Sequence, residues 1–468
     1  MPDSPDPVTP SASPDPLALP PSPSVPASAA GVAVGPDTSS GLVLAPFRAL
    51  RFDPARAGEL TSLTSPPYDV IDADGVATLE ASNIHNIVRL ILPREPADGG
   101  TGTPTDRYEG ARALLDAWRA EGVLRPDDRP ALYVYEQADL STPDGHVQRG
   151  LLGALALSPP EDGIVLPHEN TMAGPVSDRL ALYTAVEADL EPIFLVYDGG
   201  GAASVAVADV EGDPLAELLL DAALPDGLRH RIWALTDPSR LAAIAQDLLG
   251  RTALIADGHH RYATYLARQA DRRAAGAGAG PWDFGLTLLV DGSRFGPQVH
   301  PIHRVVPGRD AADLAQLAAA GMRVELLSTD LADSLTTLDS VAGPALLLVS
   351  PRGKTWLLSV PDPVAVGAAL GPDRSADYAA LDVAVLHGFV VTHLWGLVDT
   401  VDTVAYEHDV AAALAAAERT EGTAVLLKAT PVGAVTAVAA RGERMPRKST
   451  LFTPKPRTGL VLRDHRDG

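Results

Sequence analysis

From Gly41 onward, short apolar runs alternate with stretches whose apolar positions recur at helical spacing. The runs Ile87 to Leu92, Ala131 to Tyr135, Leu151 to Leu157, Pro192 to Tyr197, Ala253 to Ala256 and Leu286 to Val290 predict strands. Tyr108 to Glu121, apolar at Ala111, Leu114, Leu115 and Trp118, predicts a helix. Ala345 to Val349 and Trp356 to Val360 flank Pro351-Arg352-Gly353-Lys354, the pattern of a hairpin. Antiparallel pairing is therefore expected within a mixed α/β chain. Asp382 to Leu397 and Ala411 to Ala417 read as C-terminal helices, and the Gly/Ala run at 274–280 as a loop.

The first forty residues break this pattern. They combine Pro, Ser, Ala and Asp without any Lys, Arg or aromatic residue, so they cannot bury enough apolar area to offset their ordering entropy. A disordered tail is expected over 1–40, an α/β region carrying the chemistry over 41–310, and an α+β region over 311–468. A chain of 468 residues with 46% hydrophobic and 21% charged residues suits that division. Without a long apolar span or a secretory leader pattern, the expectation is a cytoplasmic protein with no membrane partner. The absence of cysteine excludes disulfides, thiolate metal sites and a thiol nucleophile. A formal charge of −23 disfavours nucleic acid as a partner. It does not exclude a local pocket for a small anion, because distant charges are screened.

The chemistry concentrates where Ala253 to Ala256 runs into Asp257-Gly258-His259-His260-Arg261. Tyr262, Tyr265, Leu266 and Ala270 then follow helical spacing, so the polar residues open a helix. Unpaired amides at a helix start favour an anion, and Gly258 permits close approach. Arg261 could grip a phosphate in a bidentate manner, and His259 or His260 could donate or transfer a proton. The structural alternative is that Asp257 caps the helix while both histidines and Arg261 tie loops together.

Other segments offer complementary groups. His168-Glu169-Asn170-Thr171, followed by Asp178-Arg179, supplies a base and an anion grip. Glu169 or Asp257 would accept a proton, and Arg179 would hold a carboxylate or phosphate. Tyr68 and Asp69 follow the rigid Pro66-Pro67 turn. Asn83 and Asn86, before the run carrying Arg89, are candidate ligand amides, although such residues often cap turns. His303-Arg304 and the basic segment with Lys448, Ser449, Thr450 and Lys455 are candidate pocket walls. His168, Glu169, Asp257, His259 and His260 could alternatively ligate a metal, but their spacing matches no standard zinc pattern, and the metal stays unknown.

Ile255-Ala256-Asp257-Gly258-His259-His260-Arg261-Tyr262-Ala263-Thr264 resembles the signature of the bacterial and archaeal family called domain of unknown function 1015. Pro66 to Ile71, Asn83 to Leu92, His168 to Thr171, Asp178-Arg179, His303-Arg304 and Met445 to Lys455 match its other marks, so the resemblance spans Pro46 to Leu462. The same decapeptide is similar to the phosphate loops of sulfiredoxin and free serine kinases, which share the ParB fold. That similarity implies a ParB/sulfiredoxin-like core binding a nucleotide or phosphate. His259 stands where sulfiredoxin has its reactive cysteine, which argues against sulfinic-acid reduction. Members of the larger family are often encoded beside serine-biosynthesis enzymes, which points to serine metabolism.

Together these readings make the chain a candidate phosphotransferase or phosphatase acting on a small metabolite, with phosphoserine or serine foremost. Mg²⁺, and ATP, ADP or pyrophosphate as donor, are the cofactors considered. A metal-dependent hydrolase and a non-catalytic sensor of a nucleotide or phosphorylated metabolite are the alternatives.

Overall fold

The computed structural model describes residues 36–94, 106–142, 145–328 and 330–467. Of the expected tail, 36–40 fall within this range and the rest lies outside the described residues. Two sheets organise the chain; the expected runs supply much of the first and the hairpin of the second. The larger has nine strands. Its order from one edge is Val165–Leu166, Ala253–Asp257, Ile193–Tyr197, Phe284–Asp291, Val147–Ala156, Leu132–Asp139, Leu228–Leu235 and Ala216–Ala223, with Leu44–Ala45 added beside Val147–Ala156. Two of its pairings are parallel, Ala253–Asp257 with Val165–Leu166 and Phe284–Asp291 with Ile193–Tyr197, and the others antiparallel. Ile193–Tyr197 is buried throughout because helices and loops cover both faces there.

The second sheet has six strands, all antiparallel, with Ala345–Val349 and Thr355–Ser359 forming the expected hairpin. His303–Val306 pairs within it, between Thr423–Leu426 and Ala405–Glu407. The chain is thus mixed α/β, with helices and both parallel and antiparallel strands. Many of its aspartates sit at helix starts: Asp53, Asp72, Asp237, Asp310, Asp330, Asp362 and Asp409 each accept an amide of the first turn. Part of the acidity is therefore helix capping.

Two expectations need correction. Ile87 to Leu92 is not a strand; Val88–Ile91 is a helical turn, with the Asn86 side chain accepting the Val88 amide at 2.9 Å and the Leu92 amide closing on the Val88 carbonyl. Its apolar residues are buried on every side, which removes the periodicity that distinguishes strand from helix. The helix expected over 382–397 is α-helical only at Asp382–Ala384 and continues as a π-helix, Val385–Leu394. No helix among the described residues is long and apolar enough to cross a membrane.

The C-terminal segment crosses back over the large sheet. Leu451–Thr453 pairs with Gln298–His300, Thr458 bridges Ser65, Leu462 bridges Leu50, and Arg463–Asp464 pairs with Ala188–Asp189. This return path carries lysines 448 and 455 to the start of the helix that follows Ala253–Asp257.

Candidate functional site

The strand Ala253–Asp257 ends in Gly258, whose left-handed backbone (φ 94°, ψ 29°) turns the chain into the helix His259–Ala274. Any larger residue would be strained there, and a Cβ would lie 3.1 Å from both Arg261 Nε and Ile193 Cγ2. The Tyr262 amide closes the first turn on the Gly258 carbonyl at 2.9 Å, so the amides of residues 259–261 have no partner within the helix.

Four segments distant in sequence meet at this turn. Asp257 lies between Lys455, whose Nζ is 2.7 Å from Oδ1, and Arg261, which binds Oδ2. Lys455 also reaches Asp69 Oδ2 at 2.9 Å. The Lys448 amide donates to Glu169 Oε1 at 3.3 Å, and His168 Nε2 is 3.0 Å from the Thr450 hydroxyl. Burial pushes the Glu169 carboxyl up, against the opposing pull of the Lys448 amide and charge. Burial also raises Asp69, but Lys455 and Arg261 prevail and hold it below its ordinary value. The Lys448 side chain is exposed, and among the described residues no carboxylate is within ion-pair distance of its ammonium. Lys448 also occupies the left-handed region, with φ 54°.

Several residues expected to face a ligand are engaged elsewhere. Arg261 is 2% exposed and binds Asp257 and the Pro192 carbonyl, at 2.6 Å, so it braces the turn rather than gripping an incoming phosphate. The two histidines receive amides: His168 N–H donates to His259 Nε2 at 3.3 Å, and Met172 N–H donates to His260 Nε2 at 3.1 Å. Each ring therefore carries its proton on Nδ1 and is neutral, in accord with the burial that pushes both pKa values down. His168, also buried, is lowered to about 4. The loop-tying alternative thus describes these side chains as they stand.

Arg179 is buried, pairs with Asp178 at 2.6 Å and donates to the Ile91 carbonyl. Its guanidinium lies 4.5 Å from the Tyr68 ring, with that of Arg261 at 6.0 Å. Burial raises the Tyr68 hydroxyl to about 12. Asn86 is fully buried and binds the Ser62 carbonyl and Val88 amide, making it a turn cap rather than a ligand amide. Arg89 donates to the Glu80 carbonyl at 2.7 Å. His303 accepts the Leu427 amide at 3.3 Å and is lowered by burial to about 4. Arg304, with no exposed surface, donates to the Lys448 carbonyl at 2.8 Å and to His387 Nε2 at 3.0 Å. Ser449 donates to the Pro446 carbonyl. Arg304 and Ser449 therefore shape the 446–449 loop from behind instead of lining a pocket.

Two nearby residues were not foreseen. Glu191 is fully buried and accepts from the Tyr68 amide and the Thr458 hydroxyl, both at 3.0 Å. A carboxylate immediately before Pro192 and an all-apolar strand was the available signal. Arg444 joins Glu169 and His259 around a small cavity of about 190 Å³ beside the first turn of the helix. Nothing in its local sequence marks it.

Among the described residues no three His, Asp or Glu side chains gather to hold a metal ion. Asp69 and Asp257 face cations already, so this donor set does not fit an all-protein metal site.

A family model described as "Protein of unknown function (DUF1015)" matches residues 44–384. No curated protein matches the chain. Among solved structures, a conserved hypothetical protein from Pyrococcus furiosus is 15% identical, with 65% of this chain and 94% of that one covered at a TM-score of 0.31. Free serine kinase in complex with AMP is 14% identical, with 65% and 90% covered at 0.33. SbnI from Staphylococcus aureus, with a C-terminal truncation, is 10% identical, with 67% and 87% covered at 0.33. Superpositions this loose transfer no residue roles.

Proposed function

The chain belongs to the DUF1015 family, whose members are described as proteins of unknown function, and from that premise we propose that it is a phosphotransfer enzyme acting on a small hydroxylated or phosphorylated metabolite. The observation that supports this reading is that helix amides 259–261, without partners in the helix, adjoin a segment in which the Lys448 amide binds Glu169 and the exposed Lys448 ammonium acts on His260. Phosphoryl transfer depends mainly on positioning and on neutralising the equatorial oxygens. In this reading the amides of His259 and His260 and the Lys448 ammonium hold those oxygens. Glu169, raised by burial, takes the proton of the attacking hydroxyl or water as that oxygen bonds to phosphorus; the opposite P–O bond breaks, and the departing oxygen leaves as serine hydroxyl, protonated by Glu169 or solvent, or as the donor's remaining phosphate. Asp257 and Asp69 keep Lys455 charged at the edge of the site, since both raise its pKa against the effect of burial.

Serine and phosphoserine come first because the decapeptide 255–264 is similar to the loop of free serine kinases. The test incubates purified protein with phosphoserine, and separately with serine plus ATP, ADP or pyrophosphate. Phosphate release or phosphoserine formation is expected, with loss on Glu169→Gln. No turnover in any combination would overturn the reading.

A second reading is favoured by one observation: both signature histidines hold loop amides on Nε2, as befits a scaffold for binding. If phosphoserine or a nucleotide binds without turnover, and Lys448→Ala weakens that binding, the protein is a sensor of the same ligands.

A further inference from the structure

On the far side of Lys455 from the Gly258 turn lies a separate cleft of about 460 Å³, within the range of small-molecule sites. Pro66, Pro67, Val70, Leu228, Leu451 and Pro454 give it apolar walls. Its polar feature is Asp226, fixed from behind by three donors. His230 Nε2 is 3.0 Å and 3.1 Å from the two carboxylate oxygens, the Leu228 amide is 3.2 Å from Oδ1, and Arg457 Nη1 is 3.5 Å from Oδ2.

These donors are themselves anchored. His230 is fully buried, and its Nδ1 is 2.8 Å from the Tyr135 hydroxyl, which in turn accepts the Arg457 amide at 3.3 Å. The ring thus spans the Asp226 carboxylate on one side and the Tyr135 hydroxyl on the other. Arg457 also binds the Thr64 hydroxyl at 2.8 Å. Burial raises the Asp226 carboxyl, but His230 and Arg457 outweigh it and keep the group ionised. The carboxylate is thus held rigidly while 29% of its side chain stays exposed.

The charges around the cleft do not cancel. Lys455 is engaged by Asp257 and Asp69, and Arg457 by Asp226. Asp139, which also lines the cleft, accepts the Ser141 amide at 2.8 Å but has no cation within ion-pair distance among the described residues. Burial pushes His146 toward its neutral form, against the opposing pull of Asp139. A ligand entering here meets Asp139, which no cation pairs among the described residues, and the part-exposed Asp226, whose oxygens are held by His230, Leu228 and Arg457.

We infer that this cleft is a binding site for a small organic ammonium ion carried on an apolar body, with Asp226 as the principal acceptor and Asp139 as the second. The apolar walls take the body, and the preorganised carboxylate takes the N–H donors at little ordering cost. The inference stands apart from phosphotransfer, because an amine would bind whether or not phosphoryl groups move at the helix start.

The test titrates the full chain with phenethylamine, phenethyl alcohol and phenylacetate by calorimetry or ligand-observed NMR. The amine is expected to bind about tenfold or more tightly than the alcohol, and the carboxylate not at all. Asp226→Asn is expected to weaken the amine about tenfold. Should that variant fail to fold, Val70→Trp, which fills the cleft from an exposed position, should abolish binding, and Asp139→Asn should weaken it. Equal affinity for alcohol or carboxylate, amine binding unmoved by these variants, or no amine binding at millimolar concentration would each overturn the site.

Discussion

The strand-to-helix junction at 255–261 and the C-terminal segment at 447–455 bring positive charge to one place in opposite ways. At the junction, Arg261 is sealed in, bound to Asp257 and a backbone carbonyl. In the C-terminal segment, Lys448 is exposed, with its backbone fixed by Glu169 on one side and Arg304 on the other. The first cation makes the turn rigid and is unavailable to a ligand; the second is available because its own backbone is held by others. Sequence prominence therefore marks the framework here, and a plainer lysine carries the free charge.

The largest expected effect separates framework from contact. Arg261→Ala leaves the Asp257 carboxylate and the Pro192 carbonyl without their partner, and should cost about 3–5 kcal/mol in urea unfolding. If the loss is small, the junction is not the rigid partner of this comparison. Next is acid. His168 has a folded pKa of about 4, below its ordinary 6.5, so the unfolded chain binds its proton first. Its contribution is complete above pH 6.5 and lost as pH falls toward 4, by roughly 2 kcal/mol at pH 4.5. Comparing unfolding of the wild type and His168→Asn at pH 7 and pH 4.5 isolates that loss, and parallel acid sensitivity in both would refute it.

Lys448→Ala should leave stability within about 0.5 kcal/mol, as for an exposed residue. It should weaken phosphoserine binding about tenfold, near 1.4 kcal/mol, by calorimetry. Unchanged affinity would remove Lys448 from the site. The smallest change in stability is that of Lys448→Gly. Relief of the left-handed backbone, worth about 1 kcal/mol, offsets the added freedom of the unfolded chain, so its midpoint should stay close to the wild type while binding falls as for alanine.

The apolar runs made most of the large sheet and the 345–359 hairpin legible, because strand burial and turn chemistry are local properties. Ile87 to Leu92 misled because uniform burial erases periodicity. The Gly258 turn was readable from its neighbours, since a glycine between a buried strand and a helical spacing has few other uses. What could not be read was the direction of each charged side chain. Arg179, Arg261 and Arg304 look like ligand grips in sequence, yet each ends on a backbone carbonyl, at Ile91, Pro192 and Lys448. Asp226 was invisible for the same reason, as its partners His230 and Arg457 are assembled only by the sheet and the returning C-terminal segment.

That return path makes the junction depend on the far end of the chain. Gly258 and its helix are synthesised before lysines 448 and 455, which follow them far along the chain. A polypeptide cut short before residue 447 would keep the whole signature and still lack both lysines. Its Asp257 would keep Arg261 alone and its Asp69 would lose the ammonium it now faces, so the fragment's turn would draw the proposed anions less strongly than the intact protein.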